Sequence, residues 1–285
     1  MSRHRSLGSG EDLRPKKWLG QHFLVDAGVT ERIISSAGFQ PSDVVLEIGP
    51  GQGALTLPLS RTVSHILAVE KDLRFTEFLR KKISRLGISN VTLVNHDILS
   101  FDFNDIPFPP SGKIRVIGNL PYNISSPVLE KLIQNRERLA QAVLMFQLEV
   151  AKRLTASPGN KDYGALTLLI QYHATSTPLL KVSKSAFYPI PKIDSMVVEL
   201  NFERPYPGSA VGEADFRNVV KGSFAHRRKT LLNSLKGFLP EWTPDILLKG
   251  ITSCGIDPKR RAETLHMDEF LRLAGTLAID KREIA

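Results

Sequence analysis

Asn119-Leu120-Pro121-Tyr122 is the stretch of this 285-residue chain whose residue types and spacing could do chemistry on an amine. An exocyclic amine on a nucleobase is a poor nucleophile, because its lone pair is delocalised into the ring. The Asn119 side-chain oxygen can accept one N–H. The Leu120 carbonyl can accept the other, and Pro121 restricts the conformation of the residue before it. Two acceptors aimed at one amine favour the form that carries developing positive charge. Tyr122 offers a flat face on which an extruded base can stack. An ordinary Pro-Tyr turn after a strand would also fit these four residues, so the elements around them must decide.

Those elements are legible. Ile114 to Gly118 reads as a buried strand, which puts Asn119 where open α/β sheets place their ligands. Val44 to Ile48 is a second strand, followed by the turn Gly49-Pro50-Gly51-Gln52-Gly53 and an apolar helix start at Ala54-Leu55. A glycine-rich turn between strand and helix lets backbone approach a ligand closely. About twenty residues on, a strand over 66–69 ends in Glu70, placed to bind both hydroxyls of a ribose. Gly49-x-Gly51-x-x-Ala54 also fits the nicotinamide-dinucleotide pattern, so these residues alone leave the ligand open. Val91 to Val94 is a further strand, and Asp97 behind it is either an acceptor for an adenine amine or a solvated loop acid.

Strands alternate with helices across 44–170, with a helix expected near 127–136 and a strand at 143–146, which implies a parallel sheet. Met196, Val198, Leu200 and Phe202 alternate with Val197, Glu199 and Asn201, a period of two suited to antiparallel strands that finish the sheet. Before them, the prolines of Phe187-Tyr188-Pro189-Ile190-Pro191-Lys192 stiffen a loop that can hold an aromatic ring and a lysine. After Pro205-Tyr206-Pro207-Gly208 the chain reads all-helical. Basic clusters stand at Arg227-Arg228-Lys229 and at Lys259-Arg260-Arg261. The domain expectation is a disordered tail over 1–15, a catalytic domain over 16–204 and a helical domain over 205–285.

Composition narrows the partner. The formal net charge is +9 and the isoelectric point near 9.6, which favours a polyanion. A charge cluster is usually a solvated face, but this overall basicity tilts both clusters toward phosphate. The single Cys254 rules out an internal disulfide and cannot build a metal cluster alone. No apolar run approaches the length of a membrane span, and no secretory signal is visible at the N-terminus, so a cytoplasmic protein is expected.

Taken together, these segments resemble the KsgA-type ribosomal RNA small-subunit adenine N6,N6-dimethyltransferases of the rRNA adenine dimethylase family. The likeness runs from about Lys17 to the C-terminus. It rests on Leu19-Gly20-Gln21-His22-Phe23-Leu24, Glu47-Ile48-Gly49-Pro50-Gly51, Glu70, His96-Asp97, Asn119 to Ser125, Phe187-x-Pro189-x-Pro191-Lys192-Ile193-Asp194-Ser195 and Arg227 to Leu231, in that order. The resemblance implies a class I (Rossmann-like) S-adenosylmethionine methyltransferase core with a small all-helical C-terminal domain, a methyl donor and no metal. It implies that His22, Leu24 and the turn at Gly49 and Gly51 touch the donor. Glu70 would hold the ribose, Asp97 the donor's adenine, and Asn119 would bridge donor and target. Leu120, Pro121, Tyr122 and Phe187 complete the catalytic set, with Phe187 covering the second face of the base. Lys192 and the two basic clusters would meet RNA. Many members carry Asn where His22 stands and Val where Ile193 stands. The implied reaction dimethylates two adjacent adenines in the 3′-terminal stem-loop of 16S rRNA, on the small subunit or its late assembly intermediate, by a monomer. The nearest alternative is a large-subunit enzyme of the macrolide-resistance type. A non-catalytic assembly or transcription factor on this fold has no need of the Asn119–Tyr122 loop, and nothing marks a hydride-transfer site.

Overall fold

The computed structural model describes residues 13–15, 21–106, 112–207, 212–239 and 242–284. Most of the expected disordered tail, and Leu19-Gly20 of the first motif, lie outside the described residues. The chain forms two compact units: Met1–Lys131 with Val143–Met145 and Val182–Asp194, and Leu132–Ala142 with Phe146–Lys181 and Ser195–Ala285.

The first unit is built on parallel pairing. Strands β2 (Val44–Ile48), β3 (His65–Glu70), β4 (Val91–Asn95) and β5 (Ile114–Asn119) stand in the order β4-β3-β2-β5. β2 pairs in parallel with β3 on one side and β5 on the other. Every residue of β2 is buried, which its apolar sequence requires of a strand covered on both faces. The chain steps outward from β2 to β3 and β4, then returns to the far side of β2. The carboxyl ends of β2 and β5 therefore form a switch point, where such sheets bind ligands. β2 and β5 lie close there: a Cβ on Gly118 would come within 2.8 Å of the Ile48 carbonyl oxygen.

Helix α1 (Ala27–Ala37) starts where Asp26 accepts a hydrogen bond from the Val29 amide at 3.0 Å. It ends at Gly38 in the left-handed conformation, and buries Val29, Ile33 and Ala37. A four-residue helix, α2 (Thr56–Leu59), follows the glycine turn. Helix α3 (Leu73–Arg85) is capped by Asp72 and buries Phe75, Leu79 and Ile83. Helix α4 (Ser125–Gln134) follows the loop after β5. Two strands of two residues, β1 (Phe23–Leu24) and β8 (Phe187–Tyr188), pair antiparallel, Phe23 with Tyr188 and Leu24 with Phe187.

The seven-stranded sheet continues from β5 through β6 (Leu139–Gln147) and β9 (Ser195–Asn201) to β7 (Thr175–Val182). β7 is a strand that the sequence pattern does not announce. It carries Pro178 and has mostly exposed or half-buried side chains, both tolerated at the end of a sheet. In the second unit, α5 (Leu148–Leu154) and α6 (Ala165–Gln171) precede β7, and α7 (Glu213–Ser223), α8 (Leu231–Phe238), α9 (Pro244–Ser253) and α10 (Met267–Ile284) follow β9. Phe216, Val220, Leu235, Leu247 and Phe270 share one core with Leu168 and Tyr172 of the α6 segment. The Tyr172 and Phe216 rings stack at 4.5 Å.

Gly53 shows how tightly the turn after β2 is set. Its φ is +82°, and a Cβ there would lie 2.6 Å from Leu79 Cδ1 on α3. Gly53→Ala should therefore lower stability by about 1–3 kcal/mol through backbone strain and crowding, read as a shifted urea midpoint with an unchanged slope.

Candidate active site

At the switch point lies a cavity with about 150 Å³ of room for water centres, lined entirely by the first unit. Three segments form it: β1 with its flanks, the turn after β2, and the loop after β5. The ends of β3 and β4 close one side through Glu70, Lys71 and Asp97.

The turn after β2 is held by backbone. Gly49 N donates to the Val69 carbonyl at 2.9 Å, and Gly53 N to the Pro50 carbonyl at 2.8 Å. Gly49 and Gly51 have φ of +67° and +53°, the region that favours glycine. Nothing lies within 4 Å of a Cβ built on Gly49, so the backbone there borders open space. Glu70 ties the turn to β3: Oε2 accepts from the Gly51 amide at 3.1 Å and Oε1 from the Asp72 amide at 2.8 Å. Burial pushes the Glu70 carboxyl up, and these amides hold it back. Asp97 is opposed by burial too, but Lys71 at 2.7 Å and the Leu99 amide at 3.0 Å keep it below its ordinary value.

The loop after β5 is set by one hydrogen bond. Asn119 Nδ2 donates to the His22 carbonyl oxygen at 3.0 Å. The amide is thereby oriented, and its oxygen is left as the acceptor. The His22 ring stacks on Tyr122, with centroids 5.7 Å apart and planes at 27°. Its Nδ1 lies 2.7 Å from the Pro189 carbonyl oxygen, so it is the protonated nitrogen that donates. His22 thus links the Asn119–Tyr122 loop to the proline-stiffened loop.

His22, Leu24, Gly49, Gly51, Glu70, Asp97 and Asn119, far apart in sequence, all line this cavity. Leu120, Pro121 and Tyr122 join them. Phe187 does not. Expected to cover a base, it is buried at 2% exposure, opposite buried Leu24 across the β1–β8 pair. Side chains alternate along a strand, so the exposed aromatic of that loop is Tyr188, at 65%. Lys192 is exposed outside the cavity lining. Sequence reasoning passed over Phe23, Lys71 and Glu47. Glu47 did carry a signal, a lone acid inside an apolar strand, and it lines the cavity while only 1% exposed.

The lining suits S-adenosylmethionine, which carries two positive groups and one carboxylate. Glu47, Glu70 and Asp97 face it with only Lys71 as counter-charge among the lining acids and amines. Among the described residues no group of three or more metal-ligating side chains is found, and no helix is long and apolar enough to cross a membrane.

A Rossmann-like sheet with a glycine turn, an acid after its neighbour strand and an Asn-Leu-Pro-Tyr loop at one cavity defines a class I S-adenosylmethionine-dependent methyltransferase. The model of the family described as ribosomal RNA adenine dimethylase matches residues 13–278. The chain belongs to that family. It is 44% identical to the ribosomal RNA small subunit methyltransferase A of Desulforapulum autotrophicum, over 94% of this chain and 93% of the relative. It is 43% identical to the protein of that name from Geobacter metallireducens, over 93% and 96%. A crystal structure of a dimethyladenosine transferase from Plasmodium falciparum is similar, with a TM-score of 0.75 and 28% identity over 91% of this chain and 98% of that one. So is the 23S rRNA methyltransferase ErmE, at 0.69 and 26% over 90% and 99%.

The geometry says what the His22 ring adds. His22→Asn keeps the backbone carbonyl for Asn119 but removes the stack on Tyr122 and the bond to Pro189. Urea unfolding should show a loss of about 1–2 kcal/mol.

Proposed function

We propose that this protein transfers two methyl groups from S-adenosylmethionine to N6 of each of two adjacent adenosines in the 3′-terminal stem-loop of 16S rRNA. The observation that carries this reading is the Asn119 amide, fixed by His22 with its oxygen free, beside a cavity rich in carboxylates. When bound, the donor supplies an electrophilic methyl on its sulfonium. The chain's own groups prepare the nucleophile. The Asn119 oxygen and the Leu120 carbonyl accept the two amine N–H groups, which draws the lone pair out of the ring. Tyr122, braced by His22, stacks on the base. Leu120, where a second proline would crowd, leaves room for the monomethylated amine to turn and react again. No base is required, because the amine proton turns acidic once the nitrogen is alkylated.

On the donor side, Glu70 keeps lone pairs for the ribose hydroxyls, Asp97 accepts from the adenine amine, and Gly49 and Gly51 let backbone approach the methionine end. His22 and Leu24 form the facing wall. The division into a catalytic domain over 16–204 and an RNA-binding domain over 205–285 belongs to the same reading, as do a cytoplasmic monomer and a late small-subunit intermediate as substrate.

The basic clusters form one surface within the second unit. Leu231 N donates to the Arg260 carbonyl at 2.7 Å, and Arg227 Nη2 to the Lys161 carbonyl at 3.1 Å. Gly159 N reaches the Glu263 carbonyl at 2.8 Å. Three loops are so joined, and Arg227, Arg228, Lys229, Lys259, Arg261 and Lys161 are all exposed on them. Arg260 is different. Its guanidinium is held by Glu269, at 2.5 and 3.2 Å, and by the Thr264 carbonyl at 2.6 Å. It supports the loops, and its neighbours meet phosphate.

Small-subunit specificity rests on relatives 39–44% identical that carry that name. The test is labelled methyl transfer to unmodified small and large subunits, followed by nucleoside analysis. Asn119→Ala should cut turnover by about 10²–10³, with RNA affinity nearly unchanged. Tyr122→Ala should lose rate, while Tyr122→Phe retains most of it. Transfer by Asn119→Ala at the parental rate would refute the assignment.

Neutralising Arg227, Arg228 and Lys229 should flatten the salt dependence of subunit binding by about 0.7–0.9 log–log units per lost phosphate contact. An unchanged slope means solvated charges.

A further inference from the structure

The short β1–β8 ribbon carries an exposed patch that the donor site does not use. Val25, Tyr188 and Ile190 are 62%, 65% and 63% exposed. Large apolar side chains bared together on a protein surface mark a place of contact. The backbone beneath them is fixed. Phe23 pairs with Tyr188 and Leu24 with Phe187, and Val25 N donates to the Ala186 carbonyl at 2.9 Å. The Lys184 amide donates to Asp194 Oδ1 at 3.1 Å and so ties the start of this segment to its end. Tyr188 is thus an aromatic ring held out into solvent on a braced backbone.

Its place is the rim of the cavity. Residues directly opposite in an antiparallel pair project to one face, with Cβ atoms about 5 Å apart. Tyr188 therefore shares a face with Phe23, and Phe23 lines the cavity. The Phe23 ring is turned inward: it lies 4.9 Å from the Phe75 ring, and a Cβ on Gly51 would come within 3.1 Å of it. The rim is left to Tyr188. The next residue, Pro189, has its carbonyl oxygen 2.7 Å from His22 Nδ1, and the His22 ring packs on Tyr122. Tyr122 has one face against His22, so the target adenine takes the other. Tyr188 is joined to the His22 side, which points to a different base.

A base drawn out of a loop leaves its neighbours without their stacking partner. Unpaired bases find a substitute on aromatic side chains. The charge around Tyr188 suits such a strand, because Lys184 and Lys192 are exposed on the same segment. Resting on the rRNA reading above, we propose that Tyr188 is the stacking platform for a second, unpaired base of the substrate loop, left unstacked when the target adenosine is extruded. Val25 and Ile190 border that base, and Lys184 and Lys192 meet its phosphates. The ring positions the loop so that the target reaches Asn119, and it takes no part in the transfer. Such a contact is made in the bound substrate and the transition state alike, so it acts on KM and leaves kcat unchanged.

The test uses small subunits rebuilt with a 16S rRNA whose 3′-terminal stem-loop is synthetic. One form has the natural loop. The other keeps a single target adenosine and has abasic residues at the remaining loop positions. With the natural loop, Tyr188→Ala should raise KM for the subunit about 10- to 100-fold at unchanged kcat, the scale of one stacked base. Tyr188→Trp should restore it. Affinity for S-adenosylmethionine and the urea midpoint should stay at parental values, since Tyr188 is exposed and outside the cavity lining. With the abasic loop, parent and Tyr188→Ala should be equal, because the partner of the ring is gone. Where that loop is not turned over, the same comparison is read as subunit affinity. A loss that persists on the abasic loop would overturn the proposal, because the ring would then meet the target base or another part of the subunit. A fall in kcat alone would overturn it too, as would equal KM for parent and Tyr188→Ala on the natural loop while the parent transfers methyl groups. If the parent itself methylated no small subunit, the rRNA reading would fall, and this inference with it.

Discussion

The fold depends on β2 being paired on both sides. A strand buried on both faces and bonded in parallel to β3 and β5 can leave the sheet only at its ends. At the carboxyl end the chain must turn in little space, and three glycines with positive φ make the turn. β5 ends beside it, drawn close by Gly118. The turn after β2 and the loop after β5 are thus neighbours because one strand lies between two others. No single loop had to be long to bring them together. Glu70 at the end of β3 and Asn119 at the end of β5 then lock the turn and the first segment by hydrogen bonds of 3.1 and 3.0 Å.

Charge is sorted by depth. The chain carries nine more basic than acidic residues, yet the cavity gathers three acids against one lysine. A polyanion is attracted to the exterior and repelled from the pocket, while a cationic small molecule has the opposite preference. After methyl transfer the sulfonium charge is gone, and the acids lose part of what held the molecule. Product release is favoured by the same electrostatics that favour donor entry.

Much of the site was legible because it follows strand ends. Gly49, Glu70 and Asn119 each stand one place past an apolar run and Asp97 three places past one, and the pattern of such runs locates them. Four features were not legible, for physical reasons. Phe187 and Tyr188 are adjacent aromatics on a two-residue strand, and composition cannot say which alternation faces inward. Arg260 and Arg261 look alike in sequence, but only the fold shows Glu269 beside the first. Glu47 sits in a strand read as apolar, so its acid is visible while its isolation is not. β7 was missed because proline argues against a strand except at an edge, and edges are not marked in sequence.

That proline has a consequence of its own. β7 is the last strand of the sheet, an edge strand. Pro178 has no N–H to offer, and Lys181 adds charge to the same strand. A foreign strand docking there would meet a gap in the ladder and an unfavourable desolvation. The opposite edge, β4, has only five residues and no proline. The long edge is thus the one protected against strand-to-strand association.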